Sequence, residues 1–281
     1  MSAPVVSTAW LAEHLNAPDI AIIDASWYLP AAGRNAKAEF AAARIPGAQY
    51  FDIDEIADTA SPLPHMLPSP EKFASRVKKL GIGDGKMVIV YDGAGIFSAA
   101  RAWWMFRVFG HDDVAVLDGG FKKWQAEGRP VEEDPPRVPQ ERHFTARYQS
   151  MMVRDRAGVA RAVEKSSAVI ADARSPARFR GEEKEARAGV RSGHMPGARN
   201  VHYATLLNPD GTLKLPDELA RIFAEAGVDV ARPVITSCGS GVTAAVLSLG
   251  LTLIGARDHA LYDGSWTEWG GDPVLPIATG P

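Results

Sequence analysis

A chain of 281 residues is long enough for about two domains of ordinary size. With 46% hydrophobic and 23% charged residues, it has neither a disordered nor a fibrous composition. A formal charge of -3 gives no basic excess for a nucleic-acid backbone, and one cysteine excludes an internal disulfide framework and a cysteine-rich zinc site.

No lysine or arginine precedes Arg34, so a secretory leader is not expected. The longest apolar run, from Ala244 to Ala256, is broken by Ser248 and Thr252 and falls short of the ~20 residues of a membrane span. The expectation is a soluble cytoplasmic protein.

The first strand signal is Ile20-Ala21-Ile22-Ile23, followed by Asp24-Ala25, and Ile45-Pro46-Gly47-Ala48 comes next. Met87-Val88-Ile89-Val90-Tyr91 is a β-branched run that ends at the turn Asp92-Gly93-Ala94-Gly95. A helix is predicted over Ser98–Phe109, with Gly110 where a helix C-terminal glycine belongs. Within it Trp103 and Trp104 read as core. Leu117-Asp118-Gly119-Gly120 with Trp124 closes the series.

The same signals then return in the same order. Ala168-Val169-Ile170-Ala171 precedes Asp172-Ala173, and Met195-Pro196-Gly197-Ala198 answers to the earlier Pro-Gly turn. Pro233-Val234-Ile235-Thr236-Ser237 leads into Cys238-Gly239-Ser240-Gly241, with a helix predicted over Val242–Leu253 and Gly255 after it. Tyr262-Asp263-Gly264-Ser265 with Trp269 ends the second series. The chain therefore reads as a tandem duplication. Between the copies, Gly128 to Gln140 carries Pro130, Pro135, Pro136 and Pro139. Proline fixes φ and removes a donor, so this stretch reads as a surface linker. The two units are placed at about 1–135 and 150–281. Strand, tight turn and helix in repetition predict an α/β fold, each unit a mainly parallel sheet flanked by helices.

In such sheets the ligand site lies beyond the carboxyl ends of the strands, where Cys238 falls. The glycines of its turn let successive backbone N–H groups point inward, and the following helix adds the positive end of its dipole. An anion is stabilised at that position, so Cys238 reads as a nucleophile, and the same cradle suits a persulfide anion. The equivalent turn of the first copy has Asp92, which cannot accept a sulfur atom. That copy has the scaffold without the nucleophile.

The tandem units, the cysteine loop and several flanking motifs resemble the two-domain rhodanese family of sulfurtransferases. The motifs include Phe51-Asp52-Ile53-Asp54, Pro64-His65-Met66-Leu67-Pro68, Trp103-Trp104-Met105-Phe106, Arg178-Phe179-Arg180-Gly181 and Gly193-His194-Met195-Pro196-Gly197. The loop Cys238-Gly239-Ser240-Gly241-Val242-Thr243 is similar to that of the sulfurtransferases acting on 3-mercaptopyruvate. The resemblance implies two tandem rhodanese-like domains, the first inactive and the second catalytic, with a site between them. It matches Cys238 to the nucleophile and Arg178 and Arg187 to a pair that holds the substrate carboxylate. It matches Ser240, His65 and Asp54 to a serine–histidine–aspartate constellation, with His65 and Asp54 supplied by the first domain. Gly239, Gly241, Val242 and Thr243 complete the substrate-binding loop.

Read alone, several of these residues are ordinary. Arg178 and Arg187 lie among Arg180, Glu182, Glu183, Lys184, Glu185 and Arg191, a run that normally forms a solvated face. His65 lies between prolines in a loop, and His194 reads as a turn residue. Thiosulfate-using relatives carry two basic residues where this chain has Gly239-Ser240, so the neutral loop favours mercaptopyruvate. The implied reaction carries sulfur from 3-mercaptopyruvate through a Cys238 persulfide to a small thiol, cyanide or a thioredoxin-like dithiol protein. It calls for no metal and no organic cofactor. Alternatives are a thiosulfate:cyanide sulfurtransferase and a non-catalytic sulfur-carrier or binding module. A phosphatase is disfavoured, because Thr243 is followed by Ala244-Ala245 where a phosphate-binding arginine would stand.

Overall fold

Residues 3–281 are described by the computed structural model. The chain forms two compact units. The first runs to Thr59 and takes in Leu67–Gln149 and Leu207–Leu213; the second comprises Ala60–Met66, Ser150–Leu206 and Lys214–Pro281.

In the first unit the strands are β1 (Val5–Val6), β2 (Ile20–Asp24), β3 (Gln49–Tyr50), β4 (Met87–Tyr91) and β5 (Val114–Leu117). In the second they are β6 (Val153–Arg154), β7 (Val169–Asp172), β8 (Arg199–Asn200), β9 (Val234–Ser237) and β10 (His259–Tyr262). The sheet orders are β1-β5-β4-β2-β3 and β6-β10-β9-β7-β8, the same topology twice. Every pairing within them is parallel. The duplication read from the sequence is therefore a duplication of fold.

The strand chemistry follows from burial on both faces, which favours continuous apolar runs over alternation. Val88, Ile89, Val90 and Tyr91 of β4 are all buried, as are all four residues of β9. The predicted helices form at Ala99–Val108 and Ala244–Leu253. The second carries no charge, and only Thr252 and Leu253 of its ten residues escape burial, as expected of a helix apolar on every side. Gly110 and Gly255 take φ of 80° and 75°, the left-handed turn that ends each helix. Trp103 and Trp104 lie in the core, with Arg107 over Trp103 and Arg101 over Trp104.

The proline-rich stretch is pinned to the first unit. Arg44 and Glu132 exchange backbone hydrogen bonds at 3.1 and 2.9 Å, and the buried Arg44 guanidinium also reaches the Asp134 carbonyl. Residues 136–149 stay on this unit as well. Phe144 is buried against Phe73 and Phe106, and Thr145 hydrogen-bonds Asp84 through its N–H and its hydroxyl. These contacts, with Tyr148 against Phe109, extend the unit past its last repeat signal. No helix among the described residues is long and apolar enough to cross a membrane.

Candidate active site

Both units carry a glycine turn between a central strand and a buried helix. In the first, β4 ends at Tyr91 and Asp92 follows. The Asp92 carboxylate accepts four backbone N–H groups: those of Ala94 and Gly95 on Oδ1 at 2.8 and 2.9 Å, and those of Phe97 and Ala99 on Oδ2 at 2.8 Å each. The turn is an anion cradle occupied by its own side chain.

In the second unit β9 ends at Ser237 and Cys238 stands where Asp92 stood. Gly95 and Gly241 share the left-handed conformation, with φ of 124° and 81°. The two loops are also clamped alike: Phe121 N–H donates to the Asp92 carbonyl and Trp266 N–H to the Cys238 carbonyl, at 3.0 and 2.9 Å. Ser240, Gly241 and Thr243 hold the register positions of Ala94, Gly95 and Phe97. Cys238 is the one free thiol and only 2% exposed.

Side chains from the rest of the second unit close around this loop. His65 Nδ1 lies 2.9 Å from Ser240 Oγ, and both residues are buried. His65 has φ of 61°, unusual for a residue with a side chain and favoured only where the surroundings enforce it. The segment that carries it, Ala60–Met66, belongs to the second unit although it lies within the first copy of the sequence. His65 is thus supplied from within the first copy of the sequence, and its segment packs with the second unit against the buried Ser240. Asp54 belongs to the first unit, at the start of the short helix Ile53–Ile56, where its Oδ2 accepts the Trp27 indole N–H at 2.9 Å.

Arg178 lies in the helix Pro176–Arg180, started by Ser175, whose Oγ accepts the Arg178 N–H. Its Nη2 lies 3.2 Å from where a Cβ on Gly239 would stand, so the guanidinium rests against the cysteine loop. Arg187 Nη1 donates to Thr267 Oγ1 at 3.4 Å, and Thr267 donates to the Gly239 carbonyl through its hydroxyl and its N–H, at 2.6 and 2.9 Å. Arg187, Thr267 and the Ser61–Pro64 segment line a cavity of about 550 Å³. Val242 and Thr243 lead from the loop into the helix Ala244–Leu253.

Sequence reasoning missed several contributors. Ser265 is buried with φ of 48°, and its Oγ accepts the Cys238 N–H at 3.2 Å while donating to the Tyr262 carbonyl at 2.8 Å. The charged run around Arg178 is not uniformly solvated either. Arg180 pairs outward with Glu182, but the Glu185 side chain is 5% exposed and binds both Arg174 and Arg178. Arg174 also grips Asp172 and packs over Trp266. Burial disfavours the Arg174 charge, but Asp172 and then Glu185 outweigh burial and hold its pKa above the ordinary arginine value. Ser26 fills the place of Arg174 in the first unit. There the buried Asp24, counterpart of Asp172, is pushed up to about 6, chiefly by desolvation and further by Asp92, although Ser26 opposes the shift. His194 is structural: buried, stacked on Phe179 at 3.8 Å and bonded to the Phe179 carbonyl.

The sequence profile of the rhodanese-like domain matches residues 7–127 and again 156–272. The chain is 45% identical to 3-mercaptopyruvate sulfurtransferase of Escherichia coli strain K12, covering 97% of this chain and 96% of that protein. It is 41% identical to human 3-mercaptopyruvate sulfurtransferase over 94% of this chain and 91% of that protein. It is also 42% identical to a thiosulfate sulfurtransferase of Cricetulus griseus, over 94% of this chain and 91% of that protein. The crystal structure of SseA from Escherichia coli, a 3-mercaptopyruvate sulfotransferase with the rhodanese fold, superposes with a TM-score of 0.86 at 44% identity, covering 94% of this chain and 99% of that one.

Proposed function

From a chain that belongs to the two-domain rhodanese family of sulfurtransferases, we infer an enzyme that takes sulfur from 3-mercaptopyruvate and releases pyruvate. The observation that carries this reading is the exchange of one residue. The first unit holds a carboxylate on four backbone N–H groups, and the second puts the only thiol at the same point.

The Cys238 thiolate attacks the donor sulfur. A sulfur–sulfur bond forms, the carbon–sulfur bond breaks, and the electron pair leaves on carbon as the pyruvate enolate. The proton of the donor thiol passes to that carbon, relayed by Ser240 with its partner His65; Asp54, the third residue of the constellation, accepts the Trp27 indole N–H. A persulfide anion is left in the cradle of loop N–H groups, where register with the first unit puts the donors of Ser240, Gly241 and Thr243. An acceptor thiolate or cyanide then takes the outer sulfur and frees the Cys238 thiolate, so ping-pong kinetics are expected. Small thiols, cyanide and a thioredoxin-like dithiol protein are the acceptors proposed. The first unit acts as a scaffold, and the reaction is placed in the cytoplasm.

Arg178 and Arg187 hold the donor carboxylate in this scheme, since guanidinium matches carboxylate geometry, Arg178 lies against the cysteine loop and Arg187 binds Thr267, which in turn binds Gly239. Identity alone does not choose between donors, because a thiosulfate sulfurtransferase is about as similar as the mercaptopyruvate enzymes. The neutral pair Gly239-Ser240 favours the singly charged donor.

The test is kcat/KM for 3-mercaptopyruvate and thiosulfate with cyanide as common acceptor. Mercaptopyruvate should be preferred, and Gly239→Arg with Ser240→Lys should move the preference toward thiosulfate. Gly239 does not lie at positive φ, so the swap strains no turn; its Cβ requires only a small shift of the Arg178 guanidinium. A wild-type preference for thiosulfate, or an unchanged ratio in the folded double variant, contradicts the reading.

A further inference from the structure

Beside the cysteine loop lies a closed ionic chain of two acids and two arginines. Asp172, at the end of β7, binds Arg174 through both oxygens, with Nη2 to Oδ2 at 2.6 Å and Nε to Oδ1 at 3.1 Å. Arg174 Nη1 reaches Glu185 Oε1 at 2.8 Å, and Glu185 Oε2 takes Arg178 Nη2. Arg174 and Asp172 are almost wholly buried and Glu185 nearly so; only Arg178, at 25%, has an open face. Summed over the four side chains the charge is zero. Arg178 therefore reaches the loop as half of an ion pair. Glu185 subtracts one unit of charge from whatever else faces the donor.

We propose that Glu185 is a specificity-determining residue: by neutralising Arg178 beside the cysteine loop, it turns the site away from doubly charged sulfur donors and toward singly charged ones. The inference rests on the reading of Cys238 as sulfur acceptor and Arg178 as carboxylate ligand. Glu185 acts through Arg178 and is a positioning residue. It fixes where the guanidinium lies and how much of its charge is felt. Attraction to an anion scales with the net charge of the site, so a donor with two charges gains more than a donor with one when a negative group is removed.

The experiment compares wild type, Glu185→Gln and Glu185→Asp as full-length protein, with 3-mercaptopyruvate and thiosulfate as donors and cyanide as acceptor. Glu185→Gln keeps shape and loses charge; Glu185→Asp keeps charge and loses reach. The ratio of kcat/KM for thiosulfate to that for mercaptopyruvate should rise about tenfold in Glu185→Gln, mainly through a lower KM for thiosulfate. In Glu185→Asp the ratio should stay near the wild-type value even if both activities fall. A ratio in folded Glu185→Gln within about twofold of wild type overturns the proposal, as does an equal rise in Glu185→Asp.

Should Glu185→Gln not fold, the wild-type protein supplies the test through competitive inhibition by pyruvate, a monoanion, and sulfate, a dianion. Pyruvate should inhibit at the lower concentration, and tighter inhibition by sulfate overturns the proposal. Wild-type protein that releases no pyruvate from mercaptopyruvate would sink the functional reading itself. An active wild type with an unmoved Glu185→Gln ratio sinks only the role of Glu185.

Discussion

Asp92 and Cys238 stand at the same point of two copies of one turn and fill it differently. The carboxylate of Asp92 is long enough to reach four N–H groups and satisfies them permanently. Cys238 puts a shorter thiol at the same point, which in the proposed mechanism takes up the transferred sulfur. The strands around the two turns differ in the same sense. Asp172 is neutralised by Arg174, which continues through Glu185 to Arg178, whereas Asp24 faces Ser26 and stays a buried carboxyl with a raised pKa. One copy brings an ion-paired arginine to its loop, and the other fills its turn with its own carboxylate.

The sharpest way to test that comparison is to make the second turn like the first. Cys238→Asp should abolish turnover on every donor while raising the midpoint of thermal unfolding, because the new carboxylate takes the loop N–H groups as Asp92 does. A folded but destabilised variant would show that the two cradles are not equivalent. The reverse change, Asp92→Ala, leaves buried donors without an acceptor. It should cost roughly 3–5 kcal/mol in denaturant unfolding, with activity per folded molecule retained.

Asp24 gives a pH-dependent difference between the units. Its folded pKa of about 6 lies above the unfolded value of 3.8, so the folded state holds the proton more tightly. The contribution to stability is full below the unfolded value and is lost as pH rises through about 6. Asp24→Asn should therefore flatten the fall in unfolding free energy between about pH 4 and 6, a difference of roughly 3 kcal/mol at most. Equal slopes in wild type and variant would mean that Asp24 is ionised without penalty.

The smallest expected effect concerns the donor carboxylate. Arg187→Ala should lower kcat/KM for mercaptopyruvate by about ten- to a hundredfold, the value of one charged hydrogen bond, while Cys238 still reacts with iodoacetamide. Wild-type kinetics in this variant would return Arg187 to the solvated face that its charged neighbours suggest.

Strands, turns and the duplication were legible because their signals are contiguous: a β-branched run, a glycine turn and an apolar helix stand side by side in the chain. The cysteine loop was legible for the same reason. Glu185 was not, because nothing local separates it from Glu182 and Glu183; it is distinguished by its burial and its pairing with both Arg174 and Arg178. Thr267 and Ser265 act on the loop from beyond β10, and their hydroxyls resemble any others until the backbone brings them to Gly239 and Cys238. The place of His65 depended on a segment of the first copy packing with the second unit, which no periodicity records.

In the proposed mechanism Cys238 carries sulfur covalently at the point that Asp92 fills in the other unit. Intact mass after incubation with 3-mercaptopyruvate and no acceptor tests it most directly. The protein should become heavier by one sulfur atom, revert on addition of cyanide, and show neither change as Cys238→Ser. An unchanged mass while pyruvate is still released would contradict the account.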